Sequence, residues 1–419
     1  MNINTYLIII ISLIVLDYLL DTLVDILNYT YKSEDTPTDF KDVYSENDLV
    51  RSRAYLRANT YFGIISATFD LVLIFLVIFL GWPAKLHFLL QSYTSDPVFL
   101  SLMYFGVVFI LSDLIHLPFQ LYKTFIIEAK FGFNKTSYAT FIADKIKGYL
   151  LGACVGGLLL FILLKFVLTA GQDFWLYFWL ILAVFILFVN IFYTTLIIPL
   201  FNKLTPLEDS SLKTCIQRYC NKVNFPLTNI LVINGSKRST KANAFFSGLG
   251  SKKKIVLYDT LVSQHSEEEL VAVLAHEVGH YKHKHIVQSL LLSFVQTGFM
   301  LWLLSRCIFN TDLSAAFGVQ ETAIHLNLIA FGILYSPISH ITGLFFNYLS
   351  RKNEYEADTY AATTYDGQAL GNALKKLSSN NLTNLTPHPL YILLHYSHPT
   401  VVQRLNHWSL TINKKRGIQ

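Results

Sequence analysis

Seven apolar runs limit the possible folds of this chain more than any other feature of its sequence. A helix that crosses the hydrocarbon core of a bilayer needs about 20 predominantly apolar residues. Seven runs approach or exceed that length: 5–27, 61–82, 98–122, 149–170, 174–200, 286–308 and 323–349. Only 15% of the residues are charged, whereas a soluble domain has about 25%. The sequence therefore predicts a mainly α, polytopic protein with seven transmembrane helices in a lipid bilayer.

Acidic residues inside the apolar runs indicate a hydrated interior. Asp17, Asp21 and Asp25 recur every four residues and so share one face of the first helix, and Asp113 lies in the third run. Such residues are costly in lipid and usually face a partner or water. A bundle that encloses water explains them together. Asp25 and Lys165 are equally well explained by side chains that reach the membrane interface.

Basic residues indicate the orientation in the membrane. They concentrate in the loops 28–60 and 123–148, the segment 201–285 and the tail after 350. The loops between these regions carry only Lys85. Because cytoplasmic loops are enriched in Lys and Arg, segment 201–285 and the C-terminus are predicted on the cytoplasmic side. The sequence does not separate a bacterial inner membrane from an endoplasmic reticulum. The net charge of +5 is modest and indicates no nucleic-acid partner.

The polar residues divide the chain into segments. The predicted segments are 1–202 with five spans, a polar segment 203–285, spans six and seven at 286–349, and a C-terminal helical segment 350–419. The polar segment contains an amphipathic run, Glu208–Val223, and two β-like runs, Asn229–Ile233 and Lys254–Tyr258. It is therefore predicted to be a small α+β insertion.

A second helix of the polar segment has its own start signal. Ser266 and Glu269 match a capping box ahead of an apolar run. Further along the same helix, His276, Glu277 and His280 form the pattern H-E-x-x-H. Residues four apart lie on one helix face, so both imidazoles can bind one metal ion. Zinc lowers the pKa of a coordinated water to about 7, and a carboxylate can then deprotonate it at neutral pH.

A catalytic zinc needs a third protein ligand and one open position. His283 and His285 have the wrong spacing after His280, and we interpret them as surface or supporting residues. Glu354 and Asp358 are four apart and share a helix face in the C-terminal segment. One of these carboxylates can bind zinc while the other accepts the N–H of a zinc-bound histidine.

Taken together, H-E-x-x-H and the downstream E-x-x-x-D resemble the type I CAAX prenyl endoproteases. The resemblance extends along nearly the whole chain, through the seven spans and several short motifs. The motifs are Glu128–Lys135, Pro199–Lys203, Ser236–Ser239, Asn243–Phe246, Lys254–Thr260 and His395–Pro399.

The resemblance implies a role for each candidate residue. One Zn²⁺ would be bound by His276, His280 and Glu354. Glu277 would be the general base, and Asp358 would orient a histidine ligand. The fold implied is a helical bundle around a large water-filled chamber, with a zincin-like catalytic insertion.

The resemblance also implies donors for the oxyanion of the tetrahedral intermediate, at Asn243 and His398. Preorganised donors of this kind contribute a few kcal/mol to catalysis. Two positions depart from the family pattern. Ala129 stands where members commonly have an acidic residue, and His283-Lys284 stands where they commonly have a small or apolar pair.

The function implied is a zinc metalloendopeptidase that removes the aaX tripeptide from a peptide or protein with a prenylated CAAX-type C-terminus. A membrane quality-control metalloprotease with unlipidated substrates is an alternative with the same chemistry. An intramembrane site-2-type protease is disfavoured, because charged residues flank the H-E-x-x-H. A transporter, with the intramembrane acids as an ion path, is the non-enzymatic alternative.

Overall fold

The computed structural model describes residues 4–31, 40, 45–247 and 253–407. Parts of the loop 28–60 and of the segment 350–419 therefore lie outside the described residues. The N-terminal half contains the helices α1 (Thr5–Thr30), α2 (Glu46–Phe79), α3 (Trp82–Gln91), α4 (Pro97–Tyr122), α5 (Tyr138–Leu151), α6 (Gly157–Ala170), α7 (Phe174–Phe192) and α8 (Ile198–Phe201). Wider π-helical turns at Lys123–Glu128, Gly152–Gly156 and Tyr193–Ile197 continue α4, α5 and α7.

The C-terminal half adds shorter helices and four strands to the described chain. Its helices are α9 (Ser211–Lys222), α10 (Asp259–Gln264), α11 (Glu267–Lys282), α12 (His285–Cys307), α13 (Thr311–Ala316), α14 (Ile324–Leu334), α15 (Ser336–Thr364), α16 (Gly367–Asn380) and α17 (Pro389–His395). Residues 401–407 form a further helical stretch. The strands are β1 (Leu204–Pro206), β2 (Leu227–Ile233), β3 (Ala244–Ser247) and β4 (Lys253–Tyr258).

Long apolar helices confirm a multi-pass membrane protein. Among the described residues, the helical stretches long and apolar enough to cross a membrane are Thr5–Thr30, Glu46–Phe79, Pro97–Glu128, Tyr138–Phe201 and His285–Cys307. The bent pair α14 and α15, with an angle of 49°, makes a sixth candidate. Two of the predicted spans lie within the 64-residue stretch, on either side of Gly171. The predicted count of seven is therefore approximate.

Local chemistry explains the two breaks in these helices. Gly171 has φ +56°, a left-handed conformation that favours glycine, and it ends α6. Pro337 lies in the first turn of α15. Because proline has no N–H, it begins a helix readily and interrupts one that would otherwise continue from α14.

The outward faces of the spanning helices carry apolar side chains that only lipid can cover. Ile65 on α2, Val184 on α7 and Leu291 on α12 are 61%, 68% and 64% exposed. An aqueous surface of this composition would be unfavourable by about 25 cal/mol per Å² of apolar area. The exposed side chains therefore agree with the bilayer contact expected from the sequence.

Polar residues inside the spans pair with one another between helices. On α4, Asp113 Oδ2 lies 2.6 Å from Lys145 Nζ on α5. On α1, Asp17 Oδ1 lies 3.2 Å from His340 Nε2 on α15. The Asp17 pair is partly exposed, at 29% and 46% of the two side chains, and Asp17 lies on the face of α1 that the sequence assigns to a hydrated interior. The water-filled interior itself stays a prediction.

A mixed sheet forms one side of the polar segment. Its strand order is β1-β2-β4-β3, with β2 parallel to β4 and the outer pairs antiparallel. The predicted β-like runs correspond to β2 and β4. The predicted amphipathic run forms α9, which begins at its cap Ser210, two residues later than predicted. β1 was not predicted, because three residues are too few to show a strand pattern.

Helix α11 lies at the centre of the C-terminal half. Val271, Ala272, Ala275 and Val278 are fully buried in the core that α11 shares with the sheet, α9 and α16. On its other side α11 packs against α15, where a Cβ added to Gly279 would lie 2.9 Å from the backbone of α15. The two helices that carry the candidate metal ligands are therefore in backbone contact.

Two of the three predicted segment boundaries fall within helices and not in loops. Helix α15 continues through residue 349, and α12 begins at His285. A membrane-facing helix thus extends into the C-terminal segment, and the division into four segments stays a prediction.

Candidate active site

Helix α11 begins as the sequence predicts. The backbone N–H of Glu269 donates to Ser266 Oγ at 3.3 Å, and the N–H of Ser266 donates to Glu269 Oε2 at 3.2 Å. Capping fixes the start of the helix and therefore which residues share each face. His276 and His280, one turn apart, point toward α15.

Three side chains bring their ligand atoms together. His276 Nε2 and His280 Nε2 are 3.1 Å apart. Glu354 Oε2 lies 3.5 Å from His276 Nε2, and Glu354 Oε1 lies 3.2 Å from His280 Nε2. Tetrahedral ligands with bonds of about 2.0–2.1 Å are about 3.3 Å apart. The structure thus places the three ligands predicted from the sequence at the corners of a metal-sized site.

Glu354 supplies a direct indication that a cation belongs here. Its Oε2 atom is buried and receives no hydrogen bond from the described residues, although Arg404 Nη1 lies 3.3 Å away. A buried carboxylate oxygen without a hydrogen bond is costly unless a metal or charge satisfies it. Two imidazoles and this carboxylate match the donor set of a divalent metal site, and the residues present therefore fit a metal.

Asp358 holds the first histidine. Its Oδ1 atom lies 2.8 Å from His276 Nδ1, on the side of the imidazole ring opposite to the other two candidate ligands. Arg404 Nη2 also lies 3.2 Å from the same nitrogen. Asp358 is closer and can only accept, so Nδ1 carries the proton and the Arg404 contact is not a hydrogen bond. The Nε2 lone pair of His276 then faces the metal position.

Arg404 is a site residue that the sequence analysis missed. It donates from Nε to Asp358 Oδ2 at 2.8 Å and from Nη2 to Asp358 Oδ1 at 2.5 Å. This two-point contact neutralises and fixes the buried carboxylate. The only nearby sequence signal is the motif at His395–Pro399, which says nothing about an arginine five residues later.

His285 supports the second histidine. Its Nδ1 lies 3.0 Å from Nδ1 of His280, and its Nε2 lies 3.1 Å from Glu356 Oε2. Lys284, between α11 and α12, has φ +59°, and this left-handed turn places His285 beside His280. The interpretation of His285 as a supporting residue agrees with these contacts.

Glu277 faces a cavity of about 430 Å³ that the metal ligands also line. Burial raises the pKa of the Glu277 carboxyl above its ordinary value, and this outweighs the lowering by His276 and His280. A general base works best with a pKa near the operating pH. Its position beside the ligands and the direction of the shift both suit a group that takes up and returns a proton.

Asn243 and His398 line the same cavity. Asn243 precedes β3, and its Oδ1 accepts the backbone N–H of Ala244 at 2.8 Å, so its NH₂ group is the remaining donor. His398 Nε2 lies 3.3 Å from Glu354 Oε1. The structure thus brings both predicted donors to the cavity that contains Glu277.

Comparisons with known proteins agree with this geometry. Residues 25–203 match the family model described as the CAAX prenyl protease N-terminal domain with five membrane helices, and residues 206–411 match peptidase family M48. The CAAX prenyl protease 1 of Saccharomyces cerevisiae is 34% identical, with 91% of this chain and 90% of the relative covered. The human CAAX prenyl protease 1 homolog is 33% identical over 73% of this chain and 72% of the relative.

The chain belongs to the CAAX prenyl proteases of peptidase family M48. The crystal structure of Ste24p from S. mikatae superposes with a TM-score of 0.89 at 33% identity, covering 97% of this chain and 99% of that one. An M48 member is a metallopeptidase, so this chain is a membrane metalloendopeptidase. The family resemblance seen in the sequence is confirmed.

Membership in M48 also accounts for the donor cluster. A metallopeptidase requires a metal, and His276, His280 and Glu354 form a group whose ligand atoms all lie within 4.8 Å of one another. The metal that the family requires would fit this cluster, which lies between α11 and α15. The seven predicted site residues lie together around it.

Proposed function

We propose that this chain is a zinc endopeptidase that removes the C-terminal aaX tripeptide from prenylated CAAX-type proteins. The observation that carries the proposal is the meeting of His276, His280 and Glu354 beside Glu277, at a cavity large enough for a peptide segment. Two relatives that match 91% and 92% of this chain bear the name CAAX prenyl protease 1, one of them as probable.

One Zn²⁺ is the metal that suits the donor set. Two imidazole nitrogens and one carboxylate oxygen with an open fourth position are typical of catalytic zinc. Mg²⁺ and Ca²⁺ prefer oxygen ligands. When bound, the metal would polarise a scissile carbonyl and acidify water.

The chain's own residues would move the proton. Glu277 takes a proton from the attacking water and returns it to the nitrogen of the leaving amine. Its raised pKa favours the first of these steps, because a more basic carboxylate takes a proton from water more readily. Asp358 and Arg404 keep His276 in the tautomer that leaves Nε2 available.

Asn243 and His398 would bind the carbonyl oxygen as it gains negative charge. A single donor of this kind contributes about 10²–10³-fold to the rate in well-studied proteases. In the structure His398 Nε2 contacts Glu354. Substrate would take over that nitrogen as a hydrogen-bond donor.

The substrate would lie extended along β3. Two strands are candidates for this pairing, near Ala242–Phe246 and Lys254–Tyr258. β4 is paired on both sides, by β2 and β3, so it has no free edge. In the described sheet β3 pairs only with β4, and Ala244 lines the catalytic cavity. An added peptide strand at β3 would place its backbone beside Glu277.

The catalytic segment and the C-terminus would face the cytoplasm. This orientation rests on the distribution of basic residues and would admit protein C-termini made in the cytoplasm. Helices α11 and α15 would then hold the metal at the cytoplasmic end of the bundle.

Two matched CAAX peptides, one farnesylated and one plain, test the proposal. Each is incubated with purified full-length protein and with Glu277→Gln, and the products are identified by mass spectrometry. We expect a released tripeptide from the wild type, more from the farnesylated peptide, and none from Glu277→Gln with zinc still bound. Glu268→Gln, an exposed acid on the same helix, is the matched control and should remain active.

Other outcomes separate the alternatives. Equal cleavage of the two peptides would contradict the prenyl preference and favour a protease of unlipidated substrates. Full activity of Glu277→Gln would exclude the proposed base. Zinc bound with no cleavage of either peptide would contradict the CAAX substrate class.

A further inference from the structure

A second group of metal-binding side chains lies outside the catalytic cavity. His283, His285 and Glu356 offer one ligand atom each within 4.8 Å of the others. His285 Nε2 lies 3.1 Å and His283 Nδ1 lies 3.9 Å from the same Glu356 Oε2 atom. These separations bracket the roughly 3.3 Å between ligands of a tetrahedral zinc ion.

The backbone holds the two histidines side by side. Lys284 lies between them with φ +59°, a conformation that costs a non-glycine residue about 1–2 kcal/mol. As a result the rings of His283 and His285 stack at 14° with centroids 5.5 Å apart. Neighbouring residues in one continuous helix would point their side chains in different directions.

The group opens to solvent on its own side. His283 and Glu356 side chains are 44% and 39% exposed, while His285 is 6% exposed at the base. A surface cavity of about 460 Å³ is lined by His283 and Glu356 but by none of the catalytic ligands. A cation can therefore reach the group without passing through the catalytic cavity.

We propose that His283, His285 and Glu356 form a second site for a zinc-like divalent cation, and that its occupation weakens the catalytic metal site. The donor set of two imidazoles and one carboxylate is the same as that of the catalytic site.

The two sites are coupled through one hydrogen bond. His280 Nδ1 and His285 Nδ1 are 3.0 Å apart, so one must donate and the other accept. With its Nε2 facing the catalytic metal, neutral His280 carries its proton on Nδ1 and donates. Neutral His285 then carries its proton on Nε2, directed at Glu356.

A cation at the second site reverses this arrangement. It takes the Nε2 lone pair of His285, and the proton of that nitrogen moves to Nδ1 of the same ring. Two N–H groups then face each other between His280 and His285. The hydrogen bond that orients His280 is lost, and with it part of the catalytic site's affinity for its metal.

One competing charge lies beside the second site. Lys352 Nζ is 3.8 Å from Glu356 Oε1 and one helical turn away on α15. It repels a bound cation and competes for the carboxylate. Lys352→Gln should therefore tighten the second site, in the opposite direction to loss of a ligand.

A measurement of zinc binding to the full-length protein, purified in detergent, tests the second site without any peptide substrate. Equilibrium dialysis against increasing Zn²⁺, with metal measured by mass spectrometry, should give two zinc ions per wild-type chain. His283→Ala and Glu356→Gln should each weaken the second binding event at least about tenfold, since even indirect partners of a metal cost that much. Glu268→Gln is the control for removal of an exposed acid and should bind like the wild type.

Peptidase activity in the same zinc series tests the coupling between the second site and the catalytic site. This part of the proposal rests on the proposed function. Peptide cleavage should rise with the first zinc and fall with the second in the wild type. The inhibitory zinc concentration should rise at least about tenfold in His283→Ala and fall in Lys352→Gln. Cleavage by His283→Ala at one equivalent of zinc should equal that of the wild type.

The possible results distinguish the second site, its coupling to the catalytic site and the proposed function. A single zinc per wild-type chain, or a second zinc unaffected in both His283→Ala and Glu356→Gln, would overturn the site. Two zinc ions with no change in cleavage would overturn the coupling alone. Absence of cleavage at every zinc level would count against the proposed function and leave the binding result standing.

Discussion

Asp358 contacts the proposed metal ligand His276 and would influence a bound metal without binding it. It accepts the Nδ1 proton of His276 at 2.8 Å and is itself held by two bonds from Arg404. A carboxylate behind a ligand histidine fixes the tautomer and makes the other nitrogen a better donor. The metal affinity of the proposed site should therefore depend on a residue outside its three ligands.

Replacing Asp358 with Asn should separate this effect from packing. Asp358→Asn has nearly the same shape but no charge, and we expect zinc affinity to fall about 10–100-fold. Competition with a chromophoric chelator measures the change. Circular dichroism of the metal-free protein provides the control for folding. Unchanged affinity would show that His276 is oriented by the fold alone.

At the residue scale, the prediction rested on spacing along one helix. His276 and His280 are four apart on one helix, and so are Glu354 and Asp358, so periodicity assigns each pair to one face. Glu277 follows His276 directly and lies beside that face. Arg404 and His285 follow no such rule. Arg404 reaches Asp358 from a separate helical stretch 46 residues later. His285 reaches His280 across the left-handed turn at Lys284, which helix periodicity does not describe.

At the scale of elements, the approach of α11 to α15 decides the ligand geometry. A Cβ on Gly279 would lie 2.9 Å from Ala357 Cα and 3.1 Å from Tyr360 Cβ. The first of these neighbours is backbone and cannot rotate away. The next residue along α11 is the ligand His280, so any separation of the helices moves it away from Glu354.

Gly279→Ala should therefore weaken metal binding as well as stability. We expect a loss of about 1–3 kcal/mol in the free energy of unfolding from overpacking, with a parallel fall in zinc affinity. Gly343→Ala is the matched control on α15, where an added Cβ meets no atom within 4 Å. That change should be neutral or stabilising by up to about 1 kcal/mol. Equal effects of the two substitutions in chelator competition and thermal unfolding would contradict the role of close helix approach.

The start of α11 should be sensitive to acid. Lys376 Nζ lies 2.8 Å from Glu269 Oε1, and His265 Nδ1 lies 3.0 Å from Glu269 Oε2. Burial alone would raise the pKa of Glu269, but the hydrogen bonds from Lys376 and Ser266 prevail and lower it. A carboxyl whose folded pKa is depressed stabilises the fold above its unfolded pKa and loses that contribution as pH falls.

Lys376→Met should expose this contribution. The variant should melt at a lower temperature than the wild type at pH 7, because its Glu269 lacks the ammonium partner. The difference should shrink as pH falls below about 4.3, the ordinary pKa of a glutamate, and vanish when Glu269 is protonated in both proteins. Thermal unfolding across pH 3–7 measures it. A difference that persists at the lowest pH would assign the role of Lys376 to packing.

Elements with strong local signals were predicted well, and those set by tertiary contacts were not. The capping box gave the start of α11, and apolar β-branched runs gave β2 and β4. No local pattern predicted that α15 would continue from the membrane into the catalytic half and carry Glu354. A transmembrane helix and a soluble helix have the same backbone conformation and differ only in what surrounds them. One helix can therefore continue from lipid into the polar segment without a break.

At the scale of the whole molecule, the protein is a membrane bundle with a polar catalytic segment at one end. Apolar side chains on α2, α7 and α12 require lipid, whereas α11 and the sheet enclose a water-excluding core of their own. The number of spans depends on how a bent or turned helix is divided, which a hydropathy pattern cannot decide. The side on which the catalytic segment lies follows only from the charges of the loops.

Labelling of introduced cysteines should establish that side. Lys237→Cys lies in the catalytic segment and Ser95→Cys in a loop with few basic residues, and both positions are exposed. The variants are made in a background that lacks the native cysteine Cys154, which is itself exposed. In sealed vesicles whose cytoplasmic face is outermost, a membrane-impermeant maleimide should modify Lys237→Cys at once and Ser95→Cys only after detergent is added. The reverse pattern would place the proposed metal site on the other face of the membrane, where C-termini made in the cytoplasm could not reach it. The basic loops would then have crossed the membrane, against the enrichment of Lys and Arg in cytoplasmic loops.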